Sequence, residues 1–130
     1  MPQNLSKQKI TLSLFAGFVF MFMISCQYEF IVPEEVIIPE TVSFSEDVIP
    51  IFNASCNVSG CHVAGHGVLD LSPANAYDDL FRKNLIDVNN PAQSPLYVKL
   101  TASGSTHQGR STPQQQATIL EWINKGAQNN

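Results

Sequence analysis

Three side chains capable of ligand or nucleophile chemistry lie within one short stretch, Cys56-Asn57-Val58-Ser59-Gly60-Cys61-His62. Two thiols this close can join as a disulfide, and the histidine after the second can bind a metal. Covalent haem attachment uses all three at once. Each thiol adds across a vinyl group to form a thioether, and the histidine ligates iron from one face. The usual spacing is C-x-x-C-H, and here four residues separate the cysteines. The adjacency of Cys61 and His62 is the most constrained part, because neighbouring side chains must reach a vinyl edge and the iron together. The first cysteine has more freedom, and Ser59-Gly60 gives the chain a pliable return. The competing reading is a Cys56–Cys61 disulfide closing a short loop, with His62 an incidental neighbour.

The third cysteine, Cys26, belongs to a different pattern. Lys7 and Lys9 precede an apolar run from Ile10 to Ser25, and Cys26 follows directly. A basic flank, an apolar stretch and a small residue at the boundary make a secretory signal. The run is shorter than the about 20 residues a spanning helix needs. Met23-Ile24-Ser25-Cys26 resembles a bacterial lipoprotein signal, with Met where Leu is usual. That resemblance implies cleavage after residue 25 and lipidation of Cys26. With no Asp after Cys26, it also implies attachment to the outer membrane, facing the periplasm. The expected organisation is a signal peptide over 1–25, a lipidated cysteine and extended tether over 26–41, and one domain over 42–130. Pro33 and Pro39, with acids and β-branched residues between, oppose a continuous helix in the tether.

The formal net charge is −4; loss of Lys7 and Lys9 leaves five basic residues against eleven acidic ones, or −6. No basic cluster remains in the mature chain, which argues against nucleic acid as a partner.

The elements that must position the motif are helical. Ser43 or Ser45 can cap a helix leading into Cys56, with Phe44, Val48, Ile51 and Phe52 on one face. Pro50 requires that this helix begin near Ser45. Ser72-Pro73 and Ser94-Pro95 read as two further helix starts, the first presenting Ala76, Tyr77, Leu80 and Phe81 to the core. The last helix carries the clearest signal. Thr112 caps it, Pro113 opens it, Gln115 completes a capping box and Gly126 stops it. Its apolar face holds Ile119, Leu120, Trp122 and Ile123. So small a domain buries a modest core and benefits from an internal staple.

A helix running into the first cysteine, the adjacent G-C-H, S-P-L-Y-V-K-L and the closing I-L-E-W-I-N-K-G-A together resemble class I c-type cytochromes, in the form carried by exported bacterial lipoproteins. The likeness covers about residues 43–127. It implies an all-α cytochrome c-like fold around one haem c, with Cys56 and Cys61 as thioether attachments and His62 as proximal ligand. It also implies single-electron transfer with redox partner proteins. In that family a methionine in the loop before the closing helix usually supplies the second axial ligand. Here the methionines are Met1, Met21 and Met23, all in the signal, and His107 occupies that loop between Gly104 and Gly109. His107 is thus the candidate distal iron ligand, with water, an open site, Lys99 or a tyrosine as alternatives. His66, four residues after His62, is tethered on the proximal side and badly placed to reach the far face.

Two rival functions stay open. An open distal position would make the domain a ligand-binding or peroxidase-like haem protein, although no acid–base pair stands near the motif. A haem-free lipoprotein module with the disulfide would bind or scaffold other proteins. Hydrolase and structural-zinc readings have little support, since no triad spacing is evident and the fourth zinc ligand is unspecified.

Overall fold

The computed structural model describes residues 35–130. The expected signal peptide, Cys26 and the first part of the expected tether lie outside the described residues. Among the described residues the chain is helical and without strands. The helices are α1 (Ile49–Ser55), α2 (Ala76–Arg82), α3 (Pro95–Thr101) and α4 (Pro113–Asn124).

Ser43 opens the first helical segment. Its Oγ accepts from the Glu46 N–H at 3.2 Å, and Asp47 Oδ2 accepts from the Ser43 N–H at 2.7 Å. The turn that follows, Phe44–Val48, is π-helical, with the Ile49 N–H reaching back to the Phe44 carbonyl. Pro50 accounts for the widening. In a regular helix its ring would press on the carbonyl four residues back, and one extra residue in the turn relieves that contact. The free N–H groups of this helix start find partners in residue 130. Ser45 N and Ser43 Oγ each donate to the Asn130 carbonyl at 2.9 Å, and Phe44 N donates to Asn130 Oδ1 at 2.9 Å.

The core lies where this segment meets α2 and α4. The Phe44 ring centroid is 5.0 Å from that of Trp122 and 5.3 Å from that of Tyr77. Trp122 is 1% exposed, and its indole N–H donates to the Gln128 carbonyl at 2.9 Å. Tyr77 OH donates to the Ala127 carbonyl at 3.0 Å, tying α2 to the chain after α4. Ile119, Ile123, Leu80, Val48 and Phe52 are fully buried in the same core. Both bonds of the capping box at Thr112 and Gln115 are present, and Gly126 leaves α4 with φ of +92°.

Two local expectations need correction, at Ser72 and at Phe81 with Leu120, while Ser94-Pro95 opens α3 as expected. α2 begins at Ala76 rather than Pro73, and the Ser72 hydroxyl donates to Asp70 instead of capping. Ser94 precedes α3 without a side-chain cap. Its Oγ, fully buried, accepts from Asp87 N at 2.9 Å and donates to Asp87 O at 3.2 Å. Phe81 lies on the outer side of α2, 38% exposed, and Leu120 is only partly covered. Of the segment expected as a tether, Ile37 is bound to α4, its N–H donating to Gln114 Oε1 at 2.8 Å and its carbonyl accepting from Gln114 Nε2.

Candidate functional site

α1 delivers the first cysteine of the motif. Cys56 follows Ser55 as the C-cap, its N–H donating to the Phe52 carbonyl at 2.8 Å, and its side chain is buried. The four residues between the cysteines fold into a turn, with Cys61 N donating to Val58 O at 2.9 Å and Gly60 at φ +81°. Ser59 and Gly60 bulge into solvent. The turn returns the chain to its start, where the His62 N–H donates to the Cys56 carbonyl at 3.0 Å. The longer spacing is thereby absorbed outward, and Cys56 and His62 stay joined through the backbone. The two thiols are free rather than bonded to each other. Burial pushes the Cys56 thiol up from its ordinary value, the neighbouring Cys61 adds to this, and Arg110 works against it.

His62 is fixed at both ends. Its carbonyl accepts from Leu71 N at 2.9 Å, and its Nδ1 lies 3.1 Å from the Leu69 carbonyl. A carbonyl only accepts, so this contact places the proton on Nδ1 and leaves the lone pair on Nε2. A metal-binding imidazole is ordinarily held this way, with the other ring nitrogen donating to a backbone carbonyl.

A cavity of about 470 Å³ opens beside His62, walled mainly by Leu69, Leu71, Leu85, Leu96 and Leu100. Its volume falls in the range of sites that enclose a cofactor-sized ligand. Cys56, His107, Lys83 and Lys99 also face it. A smaller cavity of about 250 Å³ adjoins and shares Cys56, His62 and His107, adding Cys61, His66 and Arg110.

The expected site residues Cys56, Cys61, His62 and His107 therefore meet in one place. The rings of His62 and His107 have centroids 6.1 Å apart and planes inclined by only 15°. The His66 ring is 5.5 Å from His62 but edge-on, at 80°. His107 rides on a loop between Gly104 (φ +73°) and Gly109 (φ +76°), and its Nδ1 lies 3.2 Å from Thr106 Oγ1. Burial lowers the His107 pKa from its ordinary value, and the neighbouring His62, Lys99 and Arg110 lower it further. Among the described residues, no group of three or more His, Cys, Asp or Glu is arranged to hold a bare metal ion.

Sequence reasoning missed the segment that grips His62. Asp70, 6% exposed, accepts from Ser72 Oγ at 2.5 Å, Gly65 N at 2.6 Å, and Ser72 N and Asn75 Nδ2 at 2.9 Å each. These bonds, led by the Ser72 hydroxyl, hold its carboxyl far below the ordinary carboxylate range. The readable signal was Asp70 two residues before Ser72, since short acidic side chains commonly bind backbone two positions on. Comparison of the chain with protein-family models, with curated proteins and with solved structures finds no match, and the site is read from its own geometry.

Proposed function

We propose that residues 42–130 form a monohaem c-type cytochrome domain that passes single electrons, exported and held at the membrane through lipid on Cys26. The observation that carries this reading is the pair of imidazoles, His62 and His107, 6.1 Å apart, nearly parallel and both lining both cavities. That separation would leave room for one metal ion bound by a nitrogen of each ring at about 2 Å.

The donor set fits a haem better than a bare ion. Two histidines alone would leave a bare ion under-coordinated, and a porphyrin would supply further nitrogen donors. Cys56 and Cys61 supply thiols at the same place, the leucine wall suits a flat apolar macrocycle, and Lys83 and Lys99 suit its carboxylates. When bound, the group supplies a one-electron iron couple. His62 Nε2 and the His107 imidazole would hold its iron, Cys56 and Cys61 would attach it, and the leucine wall would exclude water. Ligation by two histidines would give a lower potential than a Met/His pair.

The test is a pyridine-haemochrome spectrum together with the intact mass of full-length protein co-expressed with cytochrome maturation machinery. A covalent c-type signal and the mass of one porphyrin are expected. A chain lighter by two protons, without haem, would instead identify the Cys56–Cys61 disulfide module. His107→Ala should turn a low-spin spectrum high-spin and ligand-accessible, and an unchanged spectrum removes His107 from the iron. A second reading, a ligand-binding or peroxidase-like domain, draws on the short-range hold on the His107 loop. Rapid binding of carbon monoxide by the unaltered protein would favour it.

A further inference from the structure

We propose that Asp70 is a positioning residue for His62, fixing the carbonyl that accepts its Nδ1 proton and so setting the donor strength of Nε2. The proposal rests on His62 being the proximal ligand, and it names what tunes that ligand. Asp70 sits between the two residues whose backbones grip His62: Leu69 O receives Nδ1, and Leu71 N–H donates to the His62 carbonyl. Any rotation of the backbone at residue 70 moves both contacts together.

Asp70 is restrained from every direction. Its carboxylate collects the four bonds from Gly65, Ser72 and Asn75, and its own N–H donates to Asp79 Oδ2 at 2.7 Å. Asp79 is 2% exposed and is anchored in turn by Arg82. Leu69 and Leu71 pin the backbone on either side by burying their side chains. The convergence of these restraints on the residue between the two His62 contacts points to a role in ligand geometry.

The chemical consequence has a sign. A hydrogen bond from Nδ1 to a carbonyl increases electron density on Nε2, which favours the ferric state and lowers the potential. Loosening Leu69 should raise the potential.

The test compares full-length wild type with Asp70→Ala and with Ser72→Ala, a milder change that removes one of the four bonds. Two readouts apply: exchange protection of the His62 Nδ1 proton by NMR in the reduced protein, and the midpoint potential. Asp70→Ala should lose the protection and shift the potential upward, and Ser72→Ala should move both the same way by less. Asp87→Ala is the control, since Asp87 orders another loop by accepting from Asn89 N and Asn90 N, and it should change neither. If Asp70→Ala does not fold, Ser72→Ala decides alone. Loss of global stability with wild-type Nδ1 protection and potential would overturn the proposal. Absence of covalent haem from the wild type would sink the function proposed above instead. The Nδ1 measurement would then be made on the haem-free full chain, where wild-type protection in Asp70→Ala overturns the positioning role by itself.

Discussion

The two histidine-bearing loops are built on opposite plans. Residues 56–72 make three contacts with His62, through Cys56, Leu69 and Leu71, and Asp70 locks the turn from within. Residues 102–112 close mainly on themselves, Ser105 N on Ala102 O, Gln108 N on Ser105 O and Arg110 N on His107 O, and tie to the flanking helices through Ser105 Oγ to Lys99 O and Gln116 Nε2 to Ser111. Each loop has two glycines in the left-handed region, but the first buries two leucines and a carboxylate, whereas the side chains of the second are mostly exposed. One imidazole is held through both its ring and its backbone, and the other by contacts mainly within its own loop. If the pair holds the proposed haem, it would offer one fixed ligand and one more adaptable.

The largest effect should come from undercutting the fixed side. Phe52 is fully buried and its carbonyl receives both Cys56 N and Asn57 N. Phe52→Ala should cost about 3–5 kcal/mol in denaturant unfolding. A change under 1 kcal/mol would mean that the motif does not depend on α1.

Acid should separate the two loops next. The folded-state pKa of Asp70 lies below its ordinary value of 3.8. Its contribution is therefore complete above that value and is lost as pH falls below it. Unfolding followed from pH 6 down to pH 2 should show wild-type stability falling below about pH 4. Asp70→Asn should start less stable and flatten that part of the curve. Parallel curves would show that the carboxylate does not anchor its loop.

On the adaptable side the effects should be small. Gly109→Ala meets nothing within 4 Å but must hold a φ of +76°, so the expected cost is about 1 kcal/mol. His62 Nδ1 protection should stay intact in that variant, and its loss would break the independence of the loops. Thr106→Ala, which removes the contact to His107 Nδ1, should stay within about 0.5 kcal/mol by thermal denaturation.

What could be read from the sequence follows the range of the forces involved. The capping box at Thr112 and Gln115 and the Ser43 cap are contacts across three residues, and both were legible. The apolar face of Phe44, Val48, Ile51 and Phe52 was also legible, because helical periodicity reports burial directly. Ser94-Pro95 was read correctly as the start of α3, whereas Ser72-Pro73 does not start α2. Both precede proline and carry the local signal of a cap, but each hydroxyl serves an aspartate, Asp70 or Asp87, which local helix rules do not weigh. The motif Cys56, Cys61 and His62 was visible as spacing, and His107 as an unusual residue in a glycine-flanked loop. The grip of Leu69 and Leu71 on His62 was not visible, since it consists of backbone groups that every residue possesses. Phe81 was placed inward by the same periodicity that succeeded elsewhere, because α2 is too short to reveal which edge of its stripe the core covers.

The seat of Asn130 on the start of the first helix has a kinetic consequence. The Ser43 to Asn130 contact joins residues 87 apart in sequence, so nearly the whole domain must be in place before it can close. The closure entropy of so long a loop predicts that this contact forms late, which a φ-value near 0 at Ser43 would bear out. Weakening this one should leave the folding rate unchanged and speed unfolding, making the clasp a brake on opening rather than a guide to assembly.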